Sequence, residues 1–130
     1  MCSILCTNKN INDYDDVNQY LQYRGPDDTT ILSDDVNNFT FVHNLLSMTG
    51  EVTTQPFISD SIVCLYNGEI YNYKDFGEYK SDGYCKDFVK LLDGEYAILL
   101  LDFENDTIVM ATDPFKTKPL FYSNDGDFFG

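Results

Sequence analysis

No apolar run in this sequence approaches the ~20 residues that a membrane-spanning helix needs. Positive charge is scarce as well, with eight Lys and Arg against 22 Asp and Glu and a formal charge of −14. Such a surface repels phosphate backbones and anionic lipid, so neither nucleic acid nor a membrane surface is expected as a partner. Residues 1–10 lack the basic stretch followed by a long apolar one that marks a secretory signal. Cys2, Cys6, Cys64 and Cys85 form no CxxC pair and no zinc spacing, which with no sign of secretion leads us to expect free thiols and a cytoplasmic setting. The acidic clusters at 13–16, 34–35 and 125–127 lack the spaced ligands of a calcium loop, and no cofactor is implied. What the chain does have is apolar mass. Hydrophobic residues make up 43% of 130 residues, including ten Phe and ten Tyr, enough for one domain around one core.

Periodicity sets the elements. Residues 2–7 alternate as a strand, with Cys2, Ile4 and Cys6 on one side and Ser3 and Leu5 on the other. Residues 13–23 carry Tyr14, Val17, Tyr20 and Leu21 at helical spacing, and Arg24-Gly25-Pro26-Asp27 stops that helix. Strands are expected at 29–32, 39–43, 61–66, 96–103, 107–112 and 119–122, with loop at 45–56 and 70–76 left ambiguous. Cys85, Phe88, Val89 and Leu92 fall at i, i+3, i+4, i+7, which predicts a helix over 84–92. The end, 124–130, closes no element. Strands dominate, and antiparallel hairpins suit them, giving an α+β chain.

Chemistry concentrates at two places. Cys2 reads first as a small packing residue. It also reads as a nucleophile, because removal of Met1 would place a free α-amine beside the thiol, and an amine of ordinary pKa ~7.7–8.0 can take the thiol proton near neutrality. Asn67-Gly68 follows an apolar strand and has two readings too. It is the strongest short hairpin-turn signal, and it is also an amide and an unobstructed backbone N–H that could face a developing oxyanion. His43, the single histidine, reads as structural.

In order along the chain stand Met-Cys-Ser-Ile (1–4), Arg-Gly-Pro-Asp (24–27), His-x-x-Leu-Ser (43–47), Gln-Pro (55–56), Asn-Gly-Glu-Ile-Tyr-Asn (67–72), Ser-Asp (81–82), Leu-x-Gly-x-Tyr-Ala (92–97) and Asp-Pro-Phe-x-x-Lys-Pro-Leu-Phe-Tyr (113–122). Together they resemble the class II glutamine amidotransferase domain, in the form it takes in glutamine-dependent asparagine synthetases. The resemblance implies an N-terminal-nucleophile hydrolase fold, shortened, with two stacked antiparallel sheets flanked by helices (αββα). It implies hydrolysis of glutamine to glutamate and ammonia through a thioester on Cys2, with Asn67 and Gly68 as the oxyanion hole and Glu69 and Asp82 facing the substrate's ammonium. Residues 1–130 would then form one such domain, its C-terminal end shortened and its synthetase domain absent, so a separate synthetase subunit is an expected partner beside the small-molecule amide.

Two departures qualify that implication. The family's His-x-Arg-Leu-Ser holds an arginine that clamps the substrate carboxylate, and here Leu45 takes its place. Arg24, the single arginine, already belongs to Arg-Gly-Pro-Asp, so no shift of register restores the clamp. The family's glycine three residues after Asp113 is Lys116. The alternative is a non-catalytic relative that keeps the fold and binds a partner or another γ-glutamyl compound.

Overall fold

The computed structural model of the protein describes residues 1–9, 14–48, 52–76, 88–123, 125 and 128–129. Among them are one helix, α1 (Tyr14–Leu21), and eight strands: β1 (Ser3–Thr7), β2 (Asp28–Asp34), β3 (Phe39–Leu45), β4 (Phe57–Ser59), β5 (Ile62–Ile70), β6 (Gly94–Asp102), β7 (Thr107–Thr112) and β8 (Phe128–Phe129). Short 3-10 turns occupy Gln22–Arg24, Tyr73–Phe76 and Phe88–Leu91.

The strands form two four-stranded antiparallel sheets, in the orders β2-β3-β1-β8 and β4-β5-β6-β7. Alternation turns one face of each sheet inward. Ile4, Cys6 and Phe41 from the first sheet pack on Val63, Leu65, Leu99 and Leu101 from the second. Helix α1 covers the outer face of the first sheet through a polar seam. The Asn44 amide nitrogen donates to Asn18 Oδ1 at 2.8 Å and to Ser3 Oγ at 2.9 Å, and Ser3 Oγ donates to the Leu21 carbonyl at 3.0 Å. Asn44 is fully buried, and these bonds offset the cost of removing its amide from water. On the outer face of the second sheet, Leu92, Tyr96 and Ile98 pack with Phe88, Val89 and Leu100. The architecture is the expected α+β pair of stacked sheets, with the flanking layers reduced to one helix and 3-10 turns among the described residues.

Four sequence expectations are revised. Asn67-Gly68 is no turn, because β5 continues through it to Ile70 and pairs with β6 throughout. Of the helix expected over 84–92, Phe88–Leu91 is a 3-10 turn, and 84–87 lie outside the described residues. The strand expected at 119–122 shrinks to an isolated bridge at Tyr122, since Pro119 has no N–H to donate. The tail does close an element: Phe128 and Phe129 pair with Thr7 and Cys6 on the open edge of β1. The described cysteines, Cys2, Cys6 and Cys64, are free thiols. Among the described residues no helix is long and apolar enough to cross a membrane.

Candidate active site

Cys2 immediately precedes β1, and the pairing of Ser3 with Asn44 brings it beside the end of β3. There the Leu46 N–H donates to Cys2 Sγ at 3.4 Å, and the thiol in turn faces the Leu46 carbonyl at 3.9 Å. The Arg-Gly-Pro-Asp segment supports this corner from below. A side chain at Gly25 would collide with the Asn44 carbonyl, so glycine lets the segment lie flat on β3, and Asp27 fixes both of its own ends. Its N–H donates to the Leu45 carbonyl at 3.0 Å, and its carboxylate accepts the Ser47 N–H at 2.8 Å. Burial pushes Cys6 up to about 12 and Cys64 up to about 11, so neither forms a thiolate near neutrality.

Beside Cys2 opens a cavity of about 400 Å³, whose walls include Leu45, Gly68, Glu69, Glu95 and Lys118. The second sheet presents its side of the cavity through β5. Tyr96 directs its N–H and carbonyl toward Asp113 at the end of β7, so Gly68, opposite it, takes no ladder bond from β6. The Gly68 N–H is therefore directed away from β6, along the edge of the sheet, and Gly68 lines the cavity. Two residues earlier, with the same phase, Tyr66 has its N–H and carbonyl satisfied by the Gln55 side chain, at 2.7 Å and 2.9 Å. Gln55 thus substitutes for a strand where β4 has ended, and it leaves the Gly68 edge open. Gly68 has φ 137°, and a side chain there would meet the Glu95 carbonyl. Only glycine allows β5 and β6 to approach so closely at this point.

Of the residues singled out from sequence, Cys2, Gly68 and Glu69 meet at this cavity, and Leu45 also lines it. Asn67 is buried one residue before Gly68, on the face of β5 that it shares with Leu65 and Glu69. Asp82 lies outside the described residues. His43 is buried between the sheets as a structural residue.

Three residues to which the sequence assigned no site role stand here: Gln55 and Lys118, present only as motif letters, and Glu95. Glu95 is directly opposite Glu69 across the β5–β6 ladder, a like-charge pairing that destabilises a sheet. Lys118 offsets it, its Nζ 2.9 Å from Glu95 Oε2. Tyr71, beside them, senses the whole group: partial desolvation and the charges of Glu95 and Glu69 raise its hydroxyl, while Lys118 opposes them. Asp113 sets the position of Lys118. Its buried carboxylate accepts the Tyr96 N–H at 3.3 Å, the Phe115 N–H at 3.0 Å, and both the N–H and hydroxyl of Thr117, the latter at 2.5 Å. Burial alone would raise this carboxyl, but those donors, led by Thr117, hold it down to about 2. The segment from 113 to 118 is thereby pinned to β6 beside the cavity.

A model of the glutamine amidotransferase domain matches residues 1–84, and a second model of the same description matches residues 76–130. A putative glutamine-hydrolysing asparagine synthetase of Methanocaldococcus jannaschii is 29% identical over 88% of this chain and 28% of its own length. An asparagine synthetase of Bacillus subtilis is 32% identical over 79% of this chain and 16% of its own length, and that of Gallus gallus is 31% identical over 78% and 22%. This chain thus spans less than a third of each of these relatives. With the stacked sheets and the cavity at Cys2, these matches show that the chain belongs to the family of glutamine amidotransferase domains, similar to those of the glutamine-hydrolysing asparagine synthetases.

Proposed function

We propose that the chain hydrolyses glutamine to glutamate and ammonia at Cys2. The observation that carries this reading is the convergence on one cavity of Cys2, Gly68 and Glu69. With Met1 removed, the Cys2 α-amine takes the thiol proton. The thiolate attacks the γ-carboxamide carbon, and the carbonyl oxygen becomes an oxyanion facing the Gly68 N–H and the Asn67 amide. Collapse of this adduct breaks the C–N bond, the α-ammonium returns the proton, and ammonia leaves behind a Cys2 thioester. Water, activated by the same amine, attacks the thioester to give glutamate and restore the thiol. Glu69, with Asp82 as its companion, receives the substrate ammonium. The ammonia would pass to a separate synthetase, as in asparagine formation, in a cytoplasmic setting.

Met1 is half exposed at the cavity and holds the Cys2 nitrogen as an amide, which has no basicity. Its removal is therefore part of the mechanism. The test is ammonia release from glutamine by Met1-free protein, with intact mass after rapid quenching to find the thioester. Cys2→Ala and Cys2→Ser should abolish both signals, while Cys6→Ala and Cys64→Ala should lower stability and leave them. Activity in fully Met1-blocked protein would falsify the amine's role. One observation favours the second reading, a non-catalytic binding relative: Leu45 stands where an arginine clamps the carboxylate. Met1-free protein that forms neither ammonia nor thioester would establish it.

A further inference from the structure

We propose that Lys118 holds the α-carboxylate of the substrate, supplying from the opposite sheet the positive charge that is missing at Leu45. This inference rests on the glutaminase reading. Lys118 is the one cationic side chain among the described residues lining the cavity, which also contains Cys2, Glu69 and Glu95. Its side chain is 15% exposed and its backbone is pinned through Asp113 and Thr117, so its head group samples little else. An ammonium has three donors, and Glu95 takes one of them. A carboxylate can thus be bound without breaking the existing pair.

The charge pattern also suits a zwitterion. Glu69, Glu95 and Lys118 together carry a net charge of −1, with the like charges side by side. An amino acid placing its ammonium on Glu69 and its carboxylate on Lys118 separates the two glutamates and pairs every charge. The Leu45 side would then contact the aliphatic part of the ligand, which needs no charge. A lysine is a point charge without the two-pronged geometry of a guanidinium, so the site orients the carboxylate less strictly than an arginine does.

The experiment uses Met1-free protein with L-glutamine for turnover and L-glutamate for calorimetric binding. Lys118→Met should raise the KM for glutamine and weaken glutamate about tenfold or more, with kcat at saturation changed far less. If Lys118 only neutralises Glu95, removing that charge as well should cure the defect. We therefore expect the double variant Lys118→Met, Glu95→Gln to remain weak, and full recovery of affinity in it would overturn the proposal. Unchanged affinity in Lys118→Met with normal thermal stability would do the same and leave the glutaminase reading intact. Absence of both binding and turnover in the native chain would overturn the two together.

Discussion

Lys116 adopts φ 56°, the left-handed conformation that a glycine accepts freely and a lysine does not. Its N–H closes the turn on the Asp113 carbonyl at 2.9 Å, so the strain is held by the same aspartate that places Lys118. Lys116→Gly should raise stability by about 0.5–1 kcal/mol, read as an increase in urea midpoint without change in slope. At Leu45 the expected outcome concerns affinity. With the carboxylate on Lys118, Leu45→Arg should change the KM for glutamine little in the native chain and lower it about tenfold or more only in the Lys118→Met background, read in steady-state ammonia release with little change in kcat. Motif order singles out Leu45 as the place where the family's arginine is expected. The identity of a substitute was not legible, because Lys118 is 73 residues further on and only the stacking of the sheets brings it near.

Strand β5 carries the largest difference between sequence pattern and structure. Asn-Gly is a turn signal because both residues tolerate positive φ, and Gly68 does take it. What overrides the turn is β6, which offers partners from Gly94 to Asp102 and extends the strand two residues beyond the glycine. The alternating inner face of β5, by contrast, could be read directly from Val63 and Leu65. Gly68→Ala should cost at least about 1–3 kcal/mol in chemical unfolding, from strain and from displacement of β6, and lower turnover with it. Asn67→Ala should keep the strand and reduce kcat by ~10²–10³, as loss of one oxyanion donor does. A drop no larger than that of an exposed substitution would restrict Asn67 to packing.

Across the molecule, His43 and Asp113 are two sources of acid sensitivity, beside Asp34 and Asp102, whose carboxyls Asn37 and Asn105 hold below the usual range. His43 is buried between the sheets, and its Nε2 finds no hydrogen-bond partner among the described residues. Burial holds its imidazole below the ordinary 6.5, with Asp28 pulling weakly the other way. The unfolded chain takes up this proton first, so the neutral histidine supports the fold above 6.5 and that support is lost as pH falls toward the lowered value. Asp113, held at about 2 against an ordinary 3.8, adds stability above 3.8 that disappears as pH falls toward 2. His43→Leu should flatten the urea midpoint between about pH 7 and pH 5, leaving the lower transition in place. Equal slopes in both proteins would remove His43 from the account.

The class of fold was readable from the number and alternation of its strands, but the edge partner of β1 was not, because two residues carry no periodicity. That partner has a temporal meaning. The inner edge of β1 is closed by β3, which starts at Phe39, while its outer edge is closed by Phe128 and Phe129, more than 120 residues later. Contacts so distant along the chain form slowly. The pairing of β1 with β3 is therefore expected to precede the closing of that outer edge.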